Sequence, residues 1–228
     1  MNKINLVSVL TPTYNRRKFI PQYLRNIKNQ DYNGPIEILI ADDGTDSIED
    51  LLPNNSSFKY IKLDSKKTIG YKRNLLCDEA NGDILINMDD DDFYPPQRIS
   101  HAVDELQKHD VYIAGCSLLY IYDKKKGICH NGPLNLERGY HASAGTFAFY
   151  KEYLELNKFD DDAKVSEELM FTHHFTNPLI QLDPLKTNLV ISHQHNTVNK
   201  EKSMIVQTPL TLKEIIHDDE SLKFYLKL

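Results

Sequence analysis

Gly82 to Ser100 reads GDILINMDDDDFYPPQRIS, and the reading of this stretch decides the fold. Ile84, Leu85, Ile86 and Met88 form a short apolar run of the kind that makes a buried strand, and Asp89, Asp90, Asp91 and Asp92 follow where that strand leaves the core. Pro95 and Pro96 then bar its continuation and suit the first turn of a helix. Four adjacent carboxylates beside apolar surface repel one another unless a cation compensates them. A divalent-metal site at the C-terminal edge of an α/β sheet meets that need, and open sheets of this kind place their ligands there. The plain alternative is a solvated acidic turn.

Upstream, the same move occurs twice. Asn5 to Leu10 reads as a buried strand ending in Thr11-Pro12-Thr13-Tyr14-Asn15, and Ile36 to Ala41 as a second strand ending in Asp42-Asp43-Gly44-Thr45-Asp46. Phe58 to Leu63 is a third. Amphipathic helices over Arg17 to Asn29, Tyr71 to Ala80 and Gln97 to Lys108 lie between or after them, the last with Ile99, Ala102, Val103 and Leu106 on one face. This βαβ alternation predicts an α/β fold with a Rossmann-like, mostly parallel sheet and right-handed crossovers.

After Asp110 the character changes. Val111 to Tyr122 is rich in β-branched and aromatic residues, Asp123 to Gly127 reads as a hairpin turn, and Ile128 to His130 as the return. His141 to Tyr150 suits a chain passing close beside a ligand before rejoining a sheet. Glu152 to Asn157 and Glu167 to His174 read as short helices, Leu189 to Ser192 as a strand, and Leu212 to His217 and Glu220 to Tyr225 as terminal helices. The 228 residues suffice for one core, divided into a nucleotide-binding half (1–110), a smaller mixed acceptor-side half (111–200) and a helical tail (201–228).

A net charge of −6 argues against a nucleic-acid partner. Cys77, Cys116 and Cys129 lack C-x-x-C spacing and read as reduced thiols rather than zinc ligands. With no signal-peptide pattern and no apolar window of about 18 residues, the expectation is a cytoplasmic chain without a membrane span.

Several residues carry a chemical alternative beside a structural one. Lys72-Arg73 is either a charge pair on a solvated face or, through Arg73, an inward fork for a diphosphate. Asp42-Asp43-Gly44-Thr45 approaches the D-x-D-G-T pattern of haloacid dehalogenase phosphatases, but Ala41 stands where the nucleophile belongs. Asp43 is either a turn former or, better than a phosphatase residue, an acceptor for the imide N–H of a uracil, and Tyr14 either a partly buried aromatic or a ring stacked on that base. His193 and His195, two apart on extended chain, point to one side and suit an oxygen-rich shell for Mn²⁺ or Mg²⁺. Glu167-Glu168 is either a pair of helix N-terminal acids or the source of a general base.

Four motifs in order, SVLTPTYNR, ADDGTDS, TIGYKRNLLCDEANGDIL and NMDDDDFYPPQRI, give the chain a resemblance to family 2 glycosyltransferases of the GT-A fold, best from Leu6 to Leu106. The resemblance implies that Tyr14 stacks on the nucleobase, Asp43 hydrogen-bonds it, and Pro12 and Thr13 line its pocket. It implies that Arg73 contacts the nucleotide or its phosphates. Within the D-x-D triplet Asp89-Asp90-Asp91, it places Asp89 on the ribose or sugar side and Asp91 on the metal, with Asp92 supporting the site or touching the acceptor. The family's E-D pair falls on Glu167-Glu168 and makes Glu168 the base, with glutamate in place of the usual aspartate. Its late H-x-x-N pattern falls on His193 to Asn196 and favours His193 over His195 as ligand. The implied activity is metal-dependent inverting transfer of a sugar from a nucleoside diphosphate, UDP favoured, to a hydroxyl of a glycan or glycoconjugate. A sugar-phosphate nucleotidyltransferase would need a Gly-rich loop with a lysine after the first strand, which Pro12 to Arg17 does not offer. A catalytically idle nucleotide-sugar-binding module is the other alternative.

Overall fold

Alternation along the first strands sorts apolar side chains onto two faces of one sheet. The computed structural model describes residues 3–132, 141–196 and 200–228, so parts of the acceptor-side segment, 133–140 and 197–199, lie outside it. In chain order the elements are β1 (Val7–Thr13), α1 (Ile20–Lys28), β2 (Ile36–Asp42), β3 (Phe58–Lys62), α2 (Ile69–Glu79), β4 (Ile84–Asn87), α3 (Arg98–Lys108) and β5 (Ile113–Gly115). There follow β6 (Tyr120–Asp123), β7 (Gly127–His130), β8 (Ala148–Tyr150), α4 (Glu168–Phe171), β9 (Ile180–Gln181), α5 (Pro184–Thr187), β10 (Leu189–Ile191), β11 (Val206–Gln207), α6 (Leu212–Ile215) and α7 (Asp219–Lys227).

Among the described residues, seven strands form the main sheet in the order β3-β2-β1-β4-β8-β5-β9. β1, β2, β3 and β4 run parallel, while β8 is antiparallel to both β4 and β5. Val7, Val9, Ile38, Ile40, Ile84 and Ile86 face Ile20, Tyr23, Ile99, Val103 and Leu106 of α1 and α3. Leu10, Leu39 and Leu85 face the other way, toward Leu76 of α2 and the aromatics Phe147, Phe149 and Phe171. The chain leaves β3 at one edge and returns on the far side of β1 as β4. The crevice between the C-terminal ends of β1 and β4 is therefore the sheet's switch point, where such folds bind ligands.

The first strand runs further than the sequence predicts, through Pro12 to Thr13. Pairing of β1 with β4 ends at Leu10 and Asn87, whereas pairing with β2 continues to Thr13 and Asp42. Past Leu10 one side of β1 is an edge, and a strand edge tolerates proline. The predicted helix over Glu167 to His174 shortens to α4, because His173, His174 and Phe175 all take positive φ (48°, 57° and 61°). Val111 to Tyr122 splits as well, β5 joining the main sheet and β6 a smaller mixed one.

That smaller sheet has the order β10-β6-β7-β11, with β6 and β7 forming the expected hairpin. Phe93, Leu189, Ile191, Leu212, Ile216 and Tyr225 pack it against α6 and α7. A bridge between Phe93 and Leu189 joins the segment after the aspartates to β10. No described helix is long and apolar enough to cross a membrane.

Candidate active site

Three strand ends meet at the switch point. Asn15, just past β1, takes φ of 53°, a conformation asparagine tolerates better than most residues. Its Oδ1 accepts the backbone N–H groups of Thr45 at 2.8 Å and Asp46 at 3.3 Å, which ties the loop after β1 to the loop after β2. Asp42 fastens its own turn, accepting from Gly44 N–H at 2.8 Å and Tyr60 hydroxyl at 2.6 Å. Asp43 receives Lys72 Nζ and the Lys67 N–H, each at 2.7 Å, and Lys72 also donates to the Thr13 carbonyl at 2.9 Å. Lys66 Nζ lies 4.1 Å from the centroid of the Tyr14 ring.

The solvated reading of Lys72-Arg73 is overturned, since the two side chains are only 7% and 3% exposed. Adjacent helix positions differ by about 100°, so Lys72 reaches the loop after β2 while Arg73 reaches the loop after β4.

The four aspartates divide their work. Asp89 donates its backbone N–H to the Tyr94 hydroxyl at 2.5 Å, and its Oδ1 accepts from Arg73 Nη2 at 3.3 Å. A Cβ added to Gly145 would stand 2.7 Å from Asp89 Oδ2, so glycine there is what lets the 144–146 turn lie against this carboxylate. Asp90 is buried and accepts from the Thr13 hydroxyl. Burial, then the neighbouring Asp91 charge, pushes its carboxyl well above the usual range. Asp91 Oδ2 lies 3.2 Å from Arg16 Nη2 and 3.1 Å from His193 Nε2. Burial pushes Asp91 up, but the His193 hydrogen bond and the Arg16 charge outweigh it and hold the carboxyl below the usual range. Asp92 faces away, accepting from Ile191 N–H at 2.9 Å and Asn188 Nδ2 at 3.2 Å.

Arg73 joins two distant segments. Its Nε donates to Glu167 Oε1 at 2.8 Å while Nη2 holds Asp89, and its buried Nη1 has no partner among the described residues. Burial works against the guanidinium charge, yet Asp89 and Glu167 outweigh it and raise the arginine further. Glu167 precedes α4 and Glu168 opens it. Among the described residues no other residue donates a hydrogen bond to the Glu168 carboxylate, and burial followed by the Glu167 charge raises it above the ordinary range. The approach to α4 is fixed on α2. Asn74 donates to the Phe159 carbonyl at 2.8 Å and Asp161 Oδ1 at 2.7 Å, and accepts from Phe159 N–H at 3.0 Å.

The chain after β10 is a turn rather than extended strand, with Asn196 N–H donating to the His193 carbonyl at 3.1 Å. His193 and His195 therefore part company. His195 is exposed and its ring meets Gln194, whereas His193 is seated against Phe19 with ring centroids 4.6 Å apart. The His195 N–H points at His193 Nδ1 at 3.1 Å, and His193 Nε2 stands 3.1 Å from both Asp91 Oδ2 and Asn196 Nδ2. Among the described residues no three His, Cys, Asp or Glu side chains converge on a metal position. Asp91 and His193 are a two-residue oxygen and nitrogen donor set, which suits Mn²⁺ or Mg²⁺ drawing its other ligands from phosphate oxygens and water.

Residues 8–172 match the sequence profile described as Glycosyl transferase family 2. The chain belongs to this family. It is 33% identical over 131 residues to the abequosyltransferase RfbV of Salmonella typhimurium, a match covering 54% of this chain and 37% of the relative. It is 27% identical over 145 residues to the chondroitin synthase of Escherichia coli, covering 62% of this chain and 20% of that protein. These matches thus span about a third of the one relative's length and about a fifth of the other's. Among solved structures, a mannosyltransferase from Pyrobaculum calidifontis in complex with GDP-Man and Mn²⁺ superposes with a TM-score of 0.67 at 19% identity, over 86% of this chain and 59% of that one. Residues 1–349 of Staphylococcus aureus TarS in complex with UDP-GlcNAc give a TM-score of 0.66 at 18% identity, over 84% and 60%. The fold is that of GT-A glycosyltransferases.

Of the site residues expected from the sequence, the geometry brings Thr13, Asp43, Arg73, Asp89, Asp90, Asp91, Glu167 and His193 together about the strand ends, with Pro12 inside β1. Sequence reading passed over Arg16, Lys72, Tyr94 and Gly145. For Lys72 a signal existed: a helix whose inward face at the sheet's C-terminal end carries polar residues is turned toward a site. Arg98, fully buried, was also missed. Its Nη2 donates to the carbonyls of Asn87, Thr146 and Phe147 at 3.1, 2.9 and 3.0 Å, fastening the end of β4 to the turn that carries Gly145. Burial lowers its pKa to about 10.

Proposed function

We propose that the chain is a metal-dependent, inverting glycosyltransferase that moves a sugar from a nucleoside diphosphate, UDP favoured, to a hydroxyl of a glycan or glycoconjugate. The observation that carries this reading is the Arg73 bridge. A single guanidinium holds Asp89 at the end of β4 and Glu167 at the head of α4, so the residue directly before Glu168 is tied to the D-x-D triplet.

In this reading Tyr14 supplies a face for the base and Asp43 an acceptor for its imide N–H, oriented by Lys72 and the Lys67 N–H. Pro12 and Thr13 wall that pocket, and Thr13 also orients Asp90. Asp89, steadied by Arg73 and Tyr94, meets the ribose or the transferred sugar. Asp91 and His193 would hold Mn²⁺ or Mg²⁺, which when bound offsets charge on the departing diphosphate. His195, exposed on the turn, has no ligand role here. Glu168 removes the proton of the acceptor hydroxyl as it attacks the anomeric carbon from the face opposite the diphosphate, so configuration inverts. Glu167 stays with Arg73, and Asp92 stays with β10.

The solved relatives carry UDP-GlcNAc in one case and GDP-Man with Mn²⁺ in the other, so the donor is best found by a panel of UDP- and GDP-sugars, each with Mn²⁺, Mg²⁺ or chelator. Thermal stabilisation by UDP exceeding that by GDP, and metal-stimulated donor turnover, are the expected results. Equal turnover in chelator would remove the metal from this reading.

A further inference from the structure

Asp91 Oδ2 is the proposed metal-binding atom, and two donors already crowd it. Arg16 Nη2 stands 3.2 Å away and His193 Nε2 3.1 Å, while Arg16 Nε lies 3.9 Å from Asp90 Oδ1. The Arg16 side chain is 11% exposed and rests over the Phe19 ring at 5.7 Å, the ring that also seats His193. Its position follows directly from the chain path. β1 ends at Thr13, Asn15 turns the backbone with positive φ, and Arg16 is thrown back across the end of the strand toward the loop after β4. A guanidinium 3.2 Å from the mostly covered Asp91 carboxylate and beside the buried Asp90 does what a cation would do for the Asp91 charge, since unpaired charges in such places are costly.

We infer that Arg16 is a built-in counterion that occupies the metal's electrostatic place at Asp90 and Asp91, and that it yields that place when a nucleoside diphosphate arrives. A divalent cation at Asp91 and the guanidinium a few ångströms away repel each other strongly in a partly dry site. The cation alone must therefore displace or tolerate Arg16. A diphosphate removes the conflict, because it offers the guanidinium a bidentate anionic partner and the cation its remaining oxygen ligands. Metal and donor then load together, each raising the other's affinity by the same factor. The device discourages a metal-only state, which could not turn over.

The inference rests on Asp91 and His193 being the metal ligands, and its test separates the two ideas. Free Mn²⁺ is titrated by electron paramagnetic resonance against the full chain, with and without UDP, for the unaltered protein, Arg16→Gln, Arg16→Lys and Asp91→Asn. Arg16→Gln should bind Mn²⁺ alone about tenfold or more tighter than the unaltered protein, and UDP should raise its Mn²⁺ affinity by a smaller factor. Arg16→Lys, which keeps the charge, should stay near the unaltered values, and near-ultraviolet circular dichroism checks that each variant is folded. Mn²⁺ binding by Arg16→Gln no tighter than by the unaltered protein, with Asp91→Asn still abolishing it, overturns the counterion role and leaves the metal site standing. Mn²⁺ binding unchanged in Asp91→Asn, or undetectable in every variant with UDP present, overturns both.

Discussion

At the scale of single residues, the site depends on which carboxylates are free and which are held. Glu167 is held by Arg73 and Asp92 by β10, whereas Glu168 has no such partner among the described residues and is raised by burial and by Glu167. A base must be ionised to act, so a raised pKa moves the acid limb of kcat upward in pH. The expected profile falls on acidification at a pH above the ordinary glutamate value of about 4.3, and activity recovers as pH rises through the Glu168 pKa. Glu168→Gln should lower kcat by roughly 10²- to 10⁴-fold with UDP and Mn²⁺ binding retained. Near-normal turnover in that variant would remove Glu168 as the base. Gly145 is a second single-residue test. The added methyl of Gly145→Ala meets Asp89 Oδ2 at 2.7 Å, so the carboxylate must move off its position. Turnover should fall about tenfold to a hundredfold with little change in melting temperature, and unchanged kinetics would show that the position of Asp89 is unimportant.

At the scale of elements, the sequence was most legible where one physical rule acts alone. The parallel strands β1, β2 and β4 are short apolar runs bounded by polar loops, and the structure places them as the βαβ alternation predicts. The aspartates follow directly on the apolar run that ends as β4 at Asn87, and Pro95 and Pro96 come before α3. What sequence reading missed depends on long-range contact. Lys72 looks like a surface charge until the loop after β2 supplies Asp43, and Arg73, whose inward turn the sequence allowed, shows its carboxylate partners only in the fold. Alternation alone puts His195 on the same side as His193, and only the H-x-x-N resemblance preferred His193; the turn that ends at Asn196 separates them. The link between α2 and the head of α4 is of the same hidden kind, since Asn74 and Phe159 are far apart in sequence. Asn74→Ala removes three hydrogen bonds of a buried side chain and should cost about 1–3 kcal/mol of stability. Its effect on kcat should exceed its effect on UDP affinity, because the strap it fastens leads to Glu167 and Glu168 and not to the base pocket. Loss of UDP binding in parallel with kcat would place the strap's role elsewhere.

At the scale of the whole molecule, the last helix reaches back to the loop that the first motifs built. Tyr225 of α7 is buried, packs its ring 5.8 Å from Phe93, and donates its hydroxyl to the Asp92 carbonyl at 2.9 Å, which Asn26 of α1 also meets at 2.9 Å. Gln22 of α1 donates to Ser221 Oγ at 2.7 Å, so α1 and α7 grip the aspartate loop together from behind. Nothing local in the polar C-terminal sequence announces this, because the apolar partners of α7 lie in the loop after β4 and on β10. Two substitutions separate packing from the hydrogen bond. Tyr225→Phe keeps the ring and leaves Asn26 on the carbonyl, and should cost only about 1 kcal/mol. Tyr225→Ala opens a cavity beside Phe93 and Ile191 and should cost about 3–5 kcal/mol, lowering Tm by roughly 10 °C or more for a chain of this size. Because Asp91 is held between this loop and His193, Tyr225→Ala should also weaken Mn²⁺ binding in the presence of UDP, measured well below its Tm, while Tyr225→Phe stays near the unaltered protein. Unchanged Mn²⁺ affinity in the destabilised alanine variant would mean that Asp91 is positioned by Arg16 and His193 alone, with no contribution from the C-terminal helix.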